Sequence, residues 1–173
     1  MENKMINFAF FGTSEISVTI LEELKKKGFL PKLVVTVPDK PKGRKLVLTP
    51  TPTKVWAEEE KIPFIELKTL RVPESEALIR QYSPSYDVFI VASYGKIIPD
   101  NILDTPKYKT LNVHPSLLPK LRGPSPIKSA ILTENETGVS IMRLDSEMDH
   151  GPILASKKVE IPNWPPYEKE LEE

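Results

Sequence analysis

The 173-residue sequence contains no cysteine. That excludes a disulfide framework, a thiolate metal site and a cysteine nucleophile. Histidine is nearly as scarce: the two present, His114 and His150, have no partner at the helical spacing that lets a pair ligate a metal. No metal is therefore expected. An excess of one charge sign is also missing, since 24 lysines and arginines balance 24 acids. No overall field marks a nucleic-acid or membrane binder. No apolar run reaches the length that crosses a bilayer, and "MENKMINFAFFG" has too short an apolar core and no cleavage pattern for a secretory signal. These absences fit a cytosolic protein. The remainder, 39% hydrophobic and 28% charged, is ordinary globular material in a length suited to one domain.

What is abundant is proline, 18 residues gathered into a few loops. Between those loops, strand and helix patterns alternate. "MINFAFF" is the nearly continuous apolar run of a buried parallel strand. Gly12 turns the chain, Thr13 or Ser14 can cap, and Ile16, Ile20, Leu21 and Leu24 share one helical face. "PKLVVTV", "IPFIEL", "YDVFIVASYG" and "YKTLNV" read as further strands, with "TKVWAEEEK", "PESEALIRQY" and "SPIKSAILTE" as helices. "GVSIMRLD" and "PILASKKVEI" are strands too close together for a crossover helix, so they predict an antiparallel edge. The expected class is α/β: an open, mainly parallel twisted sheet with helices on both faces. The end, "PPYEKELEE", reads as the start of an acidic helix that is cut off.

Five segments invite chemistry. "FFGTSE" is a strand–turn–helix, but without G-x-G-x-x-G it reads as a tight first turn rather than a dinucleotide site. "PDKPKGRKLVLTPTPTK" carries Lys40, Lys42, Arg44, Lys45 and Lys54 against one acid, Asp39. It is either a solvated proline-stiffened loop or, lying at a strand's carboxyl end, a contact for phosphates. The strand end Val91, Ala92, Ser93, Tyr94 and Gly95 is either a plain terminus or a backbone edge for a flat heterocycle. In "TLNVHPSLLPKLRGPSP", Asn112 and His114 alternate by two and project to one side of a strand end. An amide and an imidazole there can receive charge developing on a carbonyl oxygen. Asp149, on the "DSEMDHG" turn, is a candidate carboxylate to set the tautomer and pKa of His114. No G-x-S-x-G elbow supports a serine hydrolase.

Taken together, "FFGTSEIS", "VPDKPKGR…TPTPTK", "DVFIVASYGKIIP", "LNVHPSLLPKLRGPSPI" and "TGVSIMRLDSEMDHGPIL" resemble the N-terminal catalytic domain of the methionyl-tRNA formyltransferases. These belong to the family of 10-formyltetrahydrofolate-dependent formyltransferases. The resemblance implies residues 1–173 as a formyltransferase domain of Rossmann-like fold, shortened in its closing helix, without the family's C-terminal β-barrel. It implies Asn112, His114 and Asp149 as the catalytic trio, acting on a tetrahedral oxyanion formed by direct attack of an α-amino group on the formyl carbon. It places the folate against residues 91–95 and against Ser116, Leu118 and Pro119, with Leu118–Pro119 cis. Lys40, Lys42, Arg44 and Lys45 would meet the acceptor end of an initiator methionyl-tRNA. The implied protein is a cytoplasmic monomer with no metal and no membrane contact. Two alternatives remain at this point: formylation of a small amine such as an amino sugar nucleotide, or a non-catalytic fragment that binds folate or RNA.

Overall fold

The structure is a computed structural model that describes residues 6–145, 147, 149–166 and 168–171. Met5, read as the start of the first strand, and residues 172–173 of the closing helix lie outside that set. Buried apolar runs form the inner strands: β1 (Phe8–Gly12), β2 (Leu33–Thr36) and, later in the chain, β6 (Val88–Ala92). A parallel strand covered on both faces needs such runs rather than alternation. Helix α1 (Glu15–Lys26) begins at a capping box in which Ser14 and Ser17 satisfy each other's backbone N–H groups.

Between β2 and α2 (Pro52–Glu59) lies a two-stranded antiparallel hairpin, β3 (Lys40–Lys42) and β4 (Val47–Thr49). From sequence this stretch is expected to be a proline-stiffened loop. Its strands are only three residues long and almost wholly solvent-exposed, and β3 carries a proline, so no buried or alternating apolar pattern announces them. Then follow β5 (Phe64–Glu66), α3 (Pro73–Gln81), β6, and a four-residue helix α4 (Asp100–Leu103), which is too short to show a period. The chain continues with β7 (Thr110–His114), α5 (Pro126–Thr133), β8 (Thr137–Arg143) and β9 (Ile153–Val159). A 3₁₀ turn at Glu168–Leu171 stands where the acidic helix was expected.

The main sheet has seven strands in the order β5-β2-β1-β6-β7-β8-β9. The first five are parallel, while β8 and β9 add the predicted antiparallel edge. Two apolar clusters flank it. One joins Phe8, Phe10 and Val34 to Leu21 of α1 and Trp56 of α2. The other joins Phe11, Val35 and Phe89 to Ile79 of α3 and Ile102 of α4. Helices therefore cover both faces, and the carboxyl ends of β1, β6 and β7 come out side by side. Those adjoining strand ends are where open α/β sheets bind ligands. Among the described residues no helix is long and apolar enough to cross a membrane.

Candidate active site

Asn112 and His114 leave the same face of β7 and are joined there by Asp149 from the loop between β8 and β9. Asn112 Nδ2 donates to Asp149 Oδ1 at 3.3 Å, and His114 Nδ1 stands 3.7 Å from that same oxygen. His114 and Asp149 are both buried, at 4% and 9% exposure. Two nitrogens thus converge on one anionic oxygen. The same pair can receive the negative charge that develops on a carbonyl oxygen under attack.

The polypeptide backbone holds this arrangement. His114 Nε2 lies 2.9 Å from the carbonyl oxygen of Leu121. A carbonyl only accepts, so Nε2 carries the proton and Nδ1 is the nitrogen that faces Asp149. The reading that Asp149 sets this tautomer is therefore corrected: the Leu121 carbonyl does. The other Asp149 oxygen, Oδ2, accepts the N–H of Gly123 at 2.9 Å. Gly123 has φ +101°, a backbone region where a side chain is strained. The glycine of "KLRG" is thus needed for an N–H aimed at the carboxylate. Gly151 is needed for closeness: a Cβ there would collide with the carbonyl oxygen of Arg143. That contact packs the turn bearing Asp149 directly on the end of β8. Asp149, Leu121 and Ser93 are all non-glycine residues in the left-handed region, with φ of 51°, 57° and 48°. Such positions are strained and persist where the surrounding structure over-determines them.

The remaining residues singled out in the sequence divide in two. Ser116 is fully buried; its N–H donates to the His114 carbonyl and its hydroxyl to the Lys120 carbonyl. Ser140 Oγ accepts the Leu118 N–H and donates to the Ser116 carbonyl. Ser116 and Leu118 therefore brace the turn, whose Leu118–Pro119 bond is cis. Pro119 itself is exposed. Along residues 91–95, Val91, Ala92 and Tyr94 are buried, whereas Ser93 and Gly95 are exposed. Tyr94 points into the core, edge-on to Phe11 at 5.6 Å between ring centres. Burial pushes its phenol pKa up. What this strand end offers a flat ligand is the backbone at Ser93 and Gly95, where φ is 48° and 70°.

Lys40, Lys42, Arg44 and Lys45 stand exposed on the hairpin. A cleft of about 350 Å³ lies between that hairpin and helices α1 and α2, with Glu15, Val18, Lys42, Val55, Trp56 and Glu59 in its wall. It does not include the trio. No cluster of metal-ligating side chains occurs among the described residues. The sequence reading missed the two backbone partners, Leu121 O and Gly123 N–H. The only written trace of either is Gly123 in a segment otherwise stiffened by prolines.

Comparison with known proteins gives this geometry a setting. The formyl transferase family profile matches residues 4–170. The methionyl-tRNA formyltransferase of Thermotoga sp. (strain RQ2) is 44% identical over 157 residues, covering 90% of this chain and 50% of that protein. The methionyl-tRNA formyltransferase of Geobacillus sp. (strain WCH70) is 45% identical over 159 residues, covering 91% and 49% respectively. The chain thus spans about half the length of these relatives. Among solved structures, phosphoribosylglycinamide formyltransferase from Bacillus halodurans superposes with a TM-score of 0.70 at 26% identity, over 95% of this chain and 84% of that one. The chain, carrying an amide, a buried imidazole and a buried carboxylate together at the carboxyl end of a Rossmann-like sheet, belongs to the formyl transferase family.

Proposed function

We propose that this domain transfers the formyl group of 10-formyltetrahydrofolate to the α-amino group of an initiator methionyl-tRNA. The observation that carries the chemistry is the convergence of Asn112 Nδ2 and His114 Nδ1 on one buried anionic oxygen. The folate is a co-substrate, consumed in each turnover, and the exposed backbone at Ser93 and Gly95 suits one edge of its flat ring.

The neutral amine attacks the formyl carbon, forming a C–N bond, and the carbonyl pair moves onto oxygen. Asn112 Nδ2 and protonated His114 stabilise that oxyanion, and Asp149 balances the imidazolium charge and takes the amine proton. Collapse breaks the bond from carbon to N10 of the folate. N10 then receives the proton, leaving tetrahydrofolate and the N-formylated aminoacyl-tRNA. Because the Nε2 proton is engaged by Leu121, the Nδ1 side is the one that gains and loses a proton. The relatives' name, and the exposed cations Lys40, Lys42, Arg44 and Lys45 on the hairpin, support a tRNA acceptor.

The test is formyl transfer by the full-length protein from 10-formyltetrahydrofolate to methionyl-tRNA. His114→Ala is expected to lower kcat by about 100- to 1,000-fold, the cost of losing one oxyanion donor. Undiminished turnover by that variant would overturn the mechanism. The likeness to a solved phosphoribosylglycinamide formyltransferase favours a second reading, a small-amine acceptor. Turnover on small amines together with none on methionyl-tRNA would establish it instead.

A further inference from the structure

Lys54 reads in the sequence as one more cation of the hairpin segment, but its charge is already engaged. Its Nζ lies 2.9 Å from Asp39 Oδ1 and 3.2 Å from Glu66 Oε1, and its side chain is only 16% exposed. It also stands 5.9 Å above the centre of the Phe64 ring. Three pieces of chain meet at this one ammonium: the residue that leads into β3, the end of β5, and the first turn of α2. With two carboxylates against one lysine, the cluster is net negative. A phosphate is unfavourable there, unlike at Lys40, Lys42, Arg44 and Lys45, which form no ion pair among the described residues.

The opposite side of the α2 start is tied just as firmly. Thr51 caps the helix by accepting the Lys54 N–H at 3.2 Å. The hydroxyls of Thr36, Thr51 and Thr53 form a buried cluster, with Thr36 at 2.8 Å from Thr51 and 3.0 Å from Thr53. Thr53 in turn donates to the Gly12 carbonyl at 2.8 Å. Gly12 ends β1, and the next residue, Thr13, donates to the Ser93 carbonyl at 2.7 Å. Ser93 follows β6, the strand that pairs Val91 with Asn112 of β7. An unbroken line of short contacts therefore runs from the base of the hairpin to the strand that bears Asn112 and His114.

We propose that Lys54 is a positioning residue that fixes the base of the cationic hairpin to the carboxyl end of the sheet, so that RNA held by the hairpin meets the Asn112–His114–Asp149 site in register. The inference rests on the reading of tRNA as acceptor. Its anchoring half is tested apart from that reading.

The experiment uses the full-length protein with Lys54→Met, Lys54→Arg, Arg44→Gln and the Lys54→Met/Arg44→Gln pair. Amide hydrogen exchange reads the anchor without any substrate. Lys54→Met is expected to speed exchange across residues 40–49 and leave β6 and β7 protected, with Lys54→Arg close to the parent protein. Unchanged hairpin exchange in Lys54→Met would overturn the anchoring. Kinetics with methionyl-tRNA then read its purpose. Lys54→Met is expected to raise KM for the tRNA about 10-fold, the scale of one charge-assisted hydrogen bond. Saturated kcat and tetrahydrofolate affinity should stay within about 2-fold, and Lys54→Arg should recover most of the KM. Non-additivity decides between positioning and direct contact. If Lys54 positions the hairpin, Arg44→Gln adds little once Lys54 is gone. Fully additive losses, each lowering the salt slope by about 0.9, would mean that Lys54 touches phosphate itself and would overturn the proposal. Loss of hairpin protection with no tRNA turnover by the parent protein would instead sink the acceptor reading and leave the anchor standing.

Discussion

At the end of β7 three side chains stand in a buried site, and each is oriented by something that cannot move far: a strand, the Leu121 carbonyl, the Gly123 N–H. The β3–β4 hairpin is the opposite case. Its cations are exposed, and so are Leu46, Val47 and Leu48, at 71%, 60% and 64%. Its internal bonds are those of one short ladder. A reaction centre must hold its groups within fractions of an ångström, because catalysis depends on geometry in a dry setting where electrostatic terms are strong. A surface that meets a large polyanion needs charge and reach, which an exposed hairpin supplies. On the function proposed above, side chains locked to backbone would suit the first region to reaction, and cations on a short ribbon would suit the second to contact with RNA.

The contrast is broken most forcefully at the trio. Asp149→Asn keeps the shape and removes the charge opposite His114, and is expected to lower kcat for formyl transfer by about 100-fold or more while KM for the tRNA moves little. An equal loss in KM and none in kcat would mean that the buried site binds rather than reacts.

A control in the shared core comes next. Tyr86 is buried and donates its hydroxyl to the Ile79 carbonyl at 3.0 Å, and burial, with a smaller contribution from Tyr82, pushes its pKa up to about 12. A raised folded-state value means that the native protein holds this proton more tightly than the unfolded chain. The contribution is complete below the ordinary tyrosine value of about 10 and is lost as pH rises through the folded-state value. Denaturant unfolding is expected to show stability falling between pH 10 and 12, with the fall in Tyr86→Phe smaller than in the parent protein by about 2 to 3 kcal/mol. The fall is not abolished there, because buried Tyr94 is displaced in the same direction. Both regions should weaken together in this window, since both hang on that core.

On the hairpin the expected effects are smaller and of another kind. Arg44→Gln should weaken tRNA binding several-fold at low salt, lower the salt slope by about 0.9 and leave saturated kcat alone. A change in kcat without a change in slope would place Arg44 with the reaction centre instead. Smallest of all, Val47→Thr keeps the β-branch at an exposed position and should shift the unfolding midpoint by no more than about 0.5 kcal/mol. A larger loss would show that the hairpin tip is packed against something.

Much of the fold was legible because burial writes itself into the chain. β1 and β6 are unbroken apolar runs, and the close spacing of β8 and β9 announced the antiparallel edge. The hairpin was not legible, since its three-residue strands lie almost wholly exposed and one of them, Lys-Pro-Lys, has no strand-like composition. α4, with four residues, spans little more than one turn and leaves no period. At the site, the alternation of Asn112 and His114 was readable, because a strand imposes it. The juxtaposition with Asp149 came from resemblance, since nothing in local spacing brings together residues 35 positions apart. The roles of Leu121 O and Gly123 N–H were illegible for a simpler reason: every residue type carries a carbonyl, and all but proline an N–H. Lys54 was read as one cation among several because the sequence gives charge without pairing.

The two backbone partners of the trio also bear on how the site tolerates genetic change. The group that fixes the proton on His114 is a peptide oxygen, which survives any replacement of the Leu121 side chain that keeps the turn's path. Side chains along "PKLRG" are in this sense free to drift without changing which imidazole nitrogen faces the Leu121 carbonyl. Gly123 is the exception, because any side chain there must accept a φ of +101°. On the proposed reading, the site's vulnerability to point mutation is thus concentrated in Asn112, His114, Asp149 and two glycines, Gly123 and Gly151, while the rest of the turn stays open to variation in shape and charge.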